Sequence, residues 1–132
     1  MLDMALNGDG KLVFLKDISK RQEISKRYLE HIMTLLKHAG LIVSERGALG
    51  GYRLARPPDK IRLDEVFEAL EGGISPVECV MDATVCDRAE DCVTRGLWCD
   101  VTEAMRTVLR DRTLEDLKRQ SIKQARRKGK SR

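Results

Sequence analysis

The chain has 132 residues, of which 42% are hydrophobic and 35% are charged, and its formal net charge is +4. This length suits one domain that folds without disulfide bridges, and no run of about eighteen apolar residues predicts a membrane-spanning helix. Residues 118–132 hold eight Lys/Arg and no Asp/Glu, which leaves 17 basic and 21 acidic side chains elsewhere. The basic balance alone is therefore weak support for a nucleic-acid partner.

Two features of the sequence indicate a cytoplasmic protein. No charged segment followed by an apolar stretch opens the chain, so no secretory signal peptide is expected. Cysteines in the cytosol are normally kept reduced, so the four cysteines point first to metal or redox roles.

The N-terminal part of the chain predicts two short helices. Residues 1–6 look like the end of a helix, and a preceding segment is either unnecessary or missing. Residues 15–22 have one apolar and one charged side, which predicts a second helix. A turn follows at residues 22–25, where Glu23 would cost roughly 1 kcal/mol if its backbone is left-handed.

The next stretch predicts an amphipathic helix with both ends marked. Apolar side chains recur at i, i+3, i+4 and i+7 and form one stripe, which consists of Leu29, Ile32, Met33 and Leu36. Ser25 suits the N-cap, because its hydroxyl can accept an otherwise unpaired backbone N–H. Gly40 suits the position after the last turn, because glycine adopts left-handed backbone without a Cβ penalty.

A β-hairpin is predicted directly after this helix. Two β-prone runs, residues 41–46 and 52–54, are separated by the glycine-rich turn 47–51. A helix followed at once by a basic hairpin is the sequence form of a winged helix-turn-helix. In this motif the second helix fits the DNA major groove, and the hairpin, or wing, reaches an adjacent groove or the backbone.

The amphipathic helix between Ser25 and Gly40 is the second helix of this motif. Its exposed face is the predicted contact with double-stranded DNA. Such a face is a solvated surface on a generic helix, but its N-terminal end reaches base edges in a helix-turn-helix. Lys26 and Arg27 suit guanine or phosphate. Glu30 can accept a bond from cytosine and repels phosphate. Ser25 and Tyr28 better suit phosphate.

The wing is predicted to add backbone and minor-groove contacts. Arg46 suits a narrow minor groove. Gly47, Gly50 and Gly51 are interpreted as turn formers that let the backbone approach DNA, and the last two are counted in the interface. Tyr52 is expected to pack under the wing rather than to contact DNA.

Three further helices are predicted after the wing. The first covers residues 61–71, and a longer one runs from about residue 95 to residue 110. The apolar stripe of the longer helix has no partner left in the chain, so we assign it to a homodimer. A capping box at residues 113–116 starts a last short helix that ends near Leu117.

These elements predict a mainly α fold with a small β-hairpin wing. Residues 1–73 form the winged helix-turn-helix, and residues 74–117 form a cysteine loop and a long C-terminal dimerisation helix. Residues 118–132 are basic and almost without apolar side chains, so a disordered tail is expected.

The cysteines are spaced Cys-x6-Cys-x5-Cys-x6-Cys. None of these spacings is the tight pair of a zinc ribbon, so zinc is allowed but not indicated. Cys79, Cys86 and Cys92 lie within fourteen residues and suit a cluster held by three thiolates plus one other group. The spacing alone favours iron–sulfur and zinc equally. Cys99 is interpreted as a small apolar residue of the dimer helix, with a fourth ligand or redox partner as the alternative.

Several stretches of the chain resemble one known family. They are residues 15–22, 24–25, 28–30, 35–41, 46–47, 50–54 and 66–72, the cysteines Cys79, Cys86 and Cys92 with Trp98, and residues 113–117. Together they resemble the IscR/NsrR family of winged helix-turn-helix transcriptional regulators, over residues 2–117. The resemblance implies a dimer that carries an iron–sulfur cluster on the three cysteines and changes promoter affinity with cluster state. It favours iron–sulfur over zinc, and [2Fe–2S] over [4Fe–4S].

The sequence departs from the family pattern in four places. The family has roughly half a helix more before the residues that match Met1. Phe14 stands where a capping Ser or Thr is common, and Glu23 replaces the usual turn glycine. Arg95 stands where the cluster-assembly regulator of the family has a histidine ligand. Alternatives for the fourth ligand are Cys99, an acidic group near the N-terminus of the partner subunit, or water.

Two rival functions remain at the level of the sequence. One is a zinc- or thiol-redox-dependent DNA-binding regulator without iron–sulfur. The other, from a different class, is a cluster carrier or electron-transfer protein without DNA binding. The sequence contains no nucleophile–base pair and no phosphate loop, so an enzyme is not predicted. An open fourth position would make a cluster reactive toward oxygen or nitric oxide.

Overall fold

A computed structural model describes residues 1–47 and 50–130. The predicted wing tip at residues 48–49 and the last two residues lie outside the described residues. The described elements, in chain order, are α1 (Leu2–Asn7), α2 (Leu15–Gln22), α3 (Lys26–His38), β1 (Ile42–Glu45), β2 (Gly51–Leu54), α4 (Leu63–Glu71), α5 (Glu78–Met81), α6 (Val93–Arg110) and α7 (Leu114–Lys130), with short 3-10 turns at Pro58–Lys60 and Ala83–Val85. The predicted fold class, mainly helical with one β-hairpin, is confirmed.

The turn between α2 and α3 is held by local bonds in a left-handed conformation. Glu23 has φ 53° and ψ 37°, and its N–H donates to the carbonyl of Ser19. The Ser19 hydroxyl in turn donates to the carbonyl of Ile24 at 2.7 Å. A non-glycine residue in this conformation is disfavoured by roughly 1 kcal/mol, as the sequence predicted for this position.

Helix α3 has the ends that its sequence predicts. The Ser25 hydroxyl accepts the N–H of Tyr28 at 3.3 Å, and Gly40 has a φ of +71° after the last turn. Leu29, Met33 and Leu36 are each no more than 4% exposed. The apolar stripe therefore fixes which side of α3 faces solvent.

The wing is joined to the segment that precedes α2. Strands β1 and β2 are antiparallel, with Ile42 opposite Leu54. The N–H of Val13 donates to the carbonyl of Tyr52 at 2.7 Å, and the N–H of Tyr52 donates back at 2.9 Å. A Cβ on Gly51 would lie 2.9 Å from the Val13 carbonyl oxygen, so glycine permits this close approach. Tyr52 packs against the core, as predicted.

One hydrophobic core contains residues from α1 and from the start of α7. Its buried members are Met4, Ala5, Val13, Ile18, Leu29, Met33, Leu36, Leu41, Ile42, Ile61 and Leu114. The N–H of Leu114 donates to the Ile61 carbonyl, and the N–H of Leu63 donates to the Arg112 carbonyl, both at 2.9 Å. The start of α7 therefore belongs to the core of the winged domain. The sequence had placed the end of this domain at residue 73.

Helix α7 also corrects the predicted end of the chain. Its capping box is present: the N–H of Thr113 donates to Asp116 at 2.9 Å, and the N–H of Asp116 donates to the Thr113 hydroxyl at 3.3 Å. The helix does not end near Leu117 but continues to Lys130. Residues 118–128 contain neither Pro nor Gly and are rich in Lys, Arg, Gln and Ala, which favour the helical backbone. The predicted disordered tail is thus wrong for residues 118–130.

Helix α6 begins at Val93, two residues before the predicted start, and keeps an exposed apolar stripe. Leu97 is 59% exposed and Val108 is 53% exposed. Phe67 of α4 is 38% exposed and lines an apolar cavity of about 370 Å³ together with Met105 and Val108. An unpartnered apolar surface of this kind is what a dimer needs, and the homodimer stays a prediction.

A buried carboxylate ties α1 to α2. Asp3 is 7% exposed and accepts bonds from the Arg21 Nε at 2.9 Å and Nη2 at 2.7 Å, and from Gln22 at 2.9 Å. The bonds from Arg21, supported by Gln22, hold the pKa of Asp3 below its usual value of 3.8. This contact between two helices was not predicted, because the residues lie 18 positions apart.

We expect Asp3 to make stability depend on acid pH. A carboxylate whose pKa is lowered by folding contributes fully above its unfolded pKa, near 3.8, and loses that contribution as pH falls through the folded pKa. Urea unfolding between about pH 5 and pH 2 should therefore show wild type more stable than Asp3→Asn at the upper end only. A difference that is constant across this range would contradict the expectation.

Candidate DNA interface and cysteine segment

The five residues predicted on α3 lie together at its N-terminal end. Ser25 is the N-cap, and Lys26, Arg27, Tyr28 and Glu30 follow within the first two turns. All five are exposed, and the Tyr28 side chain projects far into solvent at 59% exposure. A helix N-terminus offers unpaired backbone N–H groups and a positive dipole end, which suit phosphate. A helix of about 10–12 Å diameter also fits the major groove, which is about 12 Å wide.

The wing places its predicted residues beside α3. Arg46 is exposed directly after β1, and together with Lys37 of α3 it lines a cleft of about 470 Å³. A Cβ on Gly50 would lie 2.6 Å from the Glu45 carbonyl oxygen, and Gly47 has a φ of +120°. The tight wing turn therefore requires glycine, as predicted, and two cations share the surface between the wing and α3.

We expect Arg46→Ala to weaken promoter binding by about 1–3 kcal/mol, because the wing would no longer present this cation to DNA. The salt dependence of binding should also become shallower. Titration of a promoter fragment at several salt concentrations measures both. Arg110→Ala, which removes an exposed cation at the far end of α6, is the matched control. Equal affinities and salt slopes for wild type and Arg46→Ala would remove Arg46 from the interface.

The cysteines lie on three elements. Cys79 is in α5, Cys86 follows the second 3-10 turn, Cys92 is the N-cap of α6, and Cys99 is two turns into α6. All four are free thiols, with Cys86 exposed and the others half-buried. Among the residues that the structure describes, no three His, Cys, Asp or Glu side chains are close enough to hold a metal ion. The single chain thus does not gather the three predicted ligands.

Arg95 has a role that the sequence did not reveal. Its Nε donates to the carbonyl of Cys79 at 2.9 Å, so it joins α5 to the first turn of α6. This contact brings the backbone around Cys79 near the N-terminus of α6, where Cys92 lies. We refer to residues 76–98 as the cysteine segment. Arg95 holds two parts of this segment together, at the position where the resemblance places a histidine ligand.

The thiol of Cys92 lies in surroundings that favour its thiolate. Its Sγ is 3.1 Å from the Thr94 hydroxyl. This bond lowers the pKa of Cys92, with further lowering by the N–H of Arg95 and the positive charge of Arg88. The thiolate is the form that binds metals and attacks disulfides. The donor chemistry of the segment thus fits a thiolate-held cluster, although its three thiols are not gathered.

The fold and the exposed face of α3 define a winged helix-turn-helix protein. The model of the Rrf2 family, described as an iron-dependent transcriptional regulator, matches residues 1–120. The chain belongs to this family of DNA-binding transcriptional regulators. The resemblance seen in the sequence is therefore confirmed at the level of the family.

Similar proteins cover nearly the whole chain. Protein rrf2 of Nitratidesulfovibrio vulgaris is 42% identical over 119 residues, which are 90% of this chain and 79% of that protein. The structure of CymR, the global cysteine regulator of B. subtilis, has a TM-score of 0.69 at 38% identity, covering 89% of this chain and 85% of CymR. The structure of T. potens IscR has a TM-score of 0.71 at 33% identity, covering 91% and 78%. None of the helices within residues 1–47 and 50–130 combines the length and the hydropathy needed to span a lipid bilayer.

Proposed function

We propose that the protein binds a two-fold promoter site as a homodimer, and that an iron–sulfur cluster held by Cys79, Cys86 and Cys92 sets its promoter affinity. Ser25, Lys26, Arg27, Tyr28 and Glu30 of α3, with Arg46, Gly50 and Gly51 of the wing, are the proposed DNA contacts. The thiolates are the soft ligands that such a cluster prefers.

The position of Cys92 carries this proposal. Cys92 is the N-cap of α6, and Cys79 is bonded to α6 through Arg95. Any rearrangement that gathers the thiols must therefore act on the N-terminal end of α6. This helix presents the apolar stripe assigned to the dimer, so cluster state and dimer geometry share one element.

Helix α6 also leads back to the DNA-binding domain. Its 18 residues span about 27 Å as a rigid rod. Directly after it, the Arg112 carbonyl accepts the N–H of Leu63, and Leu114 enters the winged-domain core. A shift of α6 is thereby passed to the domain that carries α3. A coupling of about 1–3 kcal/mol is enough to change promoter occupancy.

The cluster itself is tested by anaerobic purification. A cluster protein should be brown and contain iron and acid-labile sulfide, whereas a zinc protein should be colourless. Promoter titrations of the cluster-loaded and cluster-free protein, both without oxygen, then test the linkage. Equal affinity of the two forms for the same promoter fragments would exclude regulation by the cluster.

A thiol-redox regulator without iron–sulfur is the second candidate. The lowered pKa of Cys92 and the separation of the thiols among the described residues favour it, since a reactive thiolate needs no ligand set. It predicts a colourless protein whose promoter affinity changes on mild oxidation and recovers with thiol reductant. A cluster carrier without DNA binding is separated from both candidates by the promoter titration alone.

A further inference from the structure

Helix α7 has one packed side and one cationic side. Leu114 is buried and Leu117 and Ser121 are half-buried, whereas residues 122–130 are all exposed. The helix packs against α1 and against the 3-10 turn Pro58–Lys60. Its first turns are therefore fixed to the winged domain, and its later turns extend into solvent.

The exposed basic residues of α7 are aligned. Five of them recur at i, i+4, i+7, i+8 and i+11, so they fall within an arc of about 100°. They are Arg119, Lys123, Arg126, Arg127 and Lys130, and we refer to them as the basic stripe. Leu117 and Ser121 lie on the opposite side of the helix, so the stripe points away from the protein body.

This alignment is unfavourable for the helix by itself. Like charges at i and i+4 repel, as in Lys123 with Arg127 and Arg126 with Lys130. Arg119 is bonded to Glu115 at 3.1 Å, but no acidic residue follows Asp116 in the sequence. The last four cations of the stripe therefore gain no counter-charge from their own helix, and an external polyanion would supply it.

We infer that the basic stripe binds the phosphate backbone of duplex DNA, in addition to the contacts proposed for α3 and the wing. Duplex DNA carries one negative charge per about 1.7 Å, and residues 118–130 form about 20 Å of helix. The rest of the chain is acidic, with 17 basic and 21 acidic side chains, so attraction to DNA depends on local cationic surfaces. The inference uses the DNA-binding function of the family and is independent of the cluster.

The test compares two variants of the full chain. One replaces Lys123, Arg126, Arg127 and Lys130 with Gln, which removes four charges at exposed positions and favours helix. The matched control exchanges Lys and Arg at the same four positions, which keeps every charge. Dissociation constants are measured for a promoter fragment and for a scrambled duplex of equal length at several salt concentrations, and circular dichroism checks the helix content.

For the Gln variant, we expect the plot of log K against log salt to become shallower by about 0.9 for each phosphate that the stripe no longer neutralises. Affinity for both duplexes at about 0.1 M salt should fall by a similar factor, about ten-fold or more, so that the preference for the promoter is kept. The charge-preserving control should bind like wild type. An unchanged slope for the Gln variant would overturn the inference and leave the stripe to an acidic protein partner. Wild-type promoter binding and its response to the cluster are read in the same titrations.

Discussion

Each of the three single variants Cys79→Ala, Cys86→Ala and Cys92→Ala should lose the visible absorbance of the anaerobically purified protein. The proposed ligand set has no spare thiol within the cysteine segment, so the loss of one ligand should abolish cluster binding. The difference in promoter affinity between cluster-loaded and cluster-free protein, about 5- to 150-fold for a typical coupling, should vanish with it. Iron and sulfide analysis and anaerobic promoter titration measure the two effects.

Cys99→Ala is the matched control for these three variants. Cys99 lies seven residues after Cys92 on α6, which is about 10 Å along the helix axis. The variant should therefore retain both the cluster and the affinity change. Loss of the cluster in Cys99→Ala would make Cys99 the fourth ligand instead, and retention of the cluster in all four variants would remove the cysteines from the site.

Leu114→Ala should lower the free energy of unfolding by about 2–5 kcal/mol, the range for truncating a buried leucine. Leu114 is 1% exposed and packs in the same core as the helix-turn-helix. Ile122→Ala, on the same helix but 38% exposed, is the control and should change stability by no more than about 0.5 kcal/mol. Denaturant unfolding at one fixed protein concentration compares the variants, because dimerisation makes stability concentration-dependent.

The Leu114 comparison also tests where the winged domain ends. If α7 did not pack against the winged domain, Leu114→Ala would leave the free energy of unfolding nearly unchanged. Two equal and small effects would show that the core closes without α7. A large effect for Leu114 alone would show that the chain returns to the domain after α6.

The sequence was sufficient for the elements whose ends carry local chemical markers. The hydroxyl of Ser25 and the left-handed Gly40 bound α3, and both are specified by residues within a few positions. The wing likewise follows from glycines next to β-prone runs. Because the exposed side of α3 is the side without apolar residues, it was predicted from the same pattern.

The features that were missed depend on distant partners. The bond between Asp3 and Arg21 and the backbone bond between Leu114 and Ile61 join residues far apart in the chain, and no local pattern encodes them. The length of α7 was missed for another reason. Few apolar residues after Leu117 suggested disorder, whereas the helix formers of residues 118–128, which include neither Pro nor Gly, allow the helix to continue from its packed start.

The spacing of the cysteines along the chain was not enough to predict the arrangement of their thiols. Spacing identifies which thiols are near one another along the chain, but not whether their side chains converge. The Arg95 side chain donates to the Cys79 carbonyl and so joins α5 to α6, yet the three thiols are not gathered among the described residues.

The bridge between Val13 and Tyr52 limits how the protein can adjust to a promoter. Because this bridge joins β2 to the segment that leads into α2, we expect these two parts to move together. We therefore expect each half of the proposed dimer to meet its half-site with β2 and the start of α2 in fixed relative positions. Adaptation to an operator is left to the distance and angle between the two halves, so the number of base pairs separating the half-sites becomes the quantity to which the protein is most sensitive.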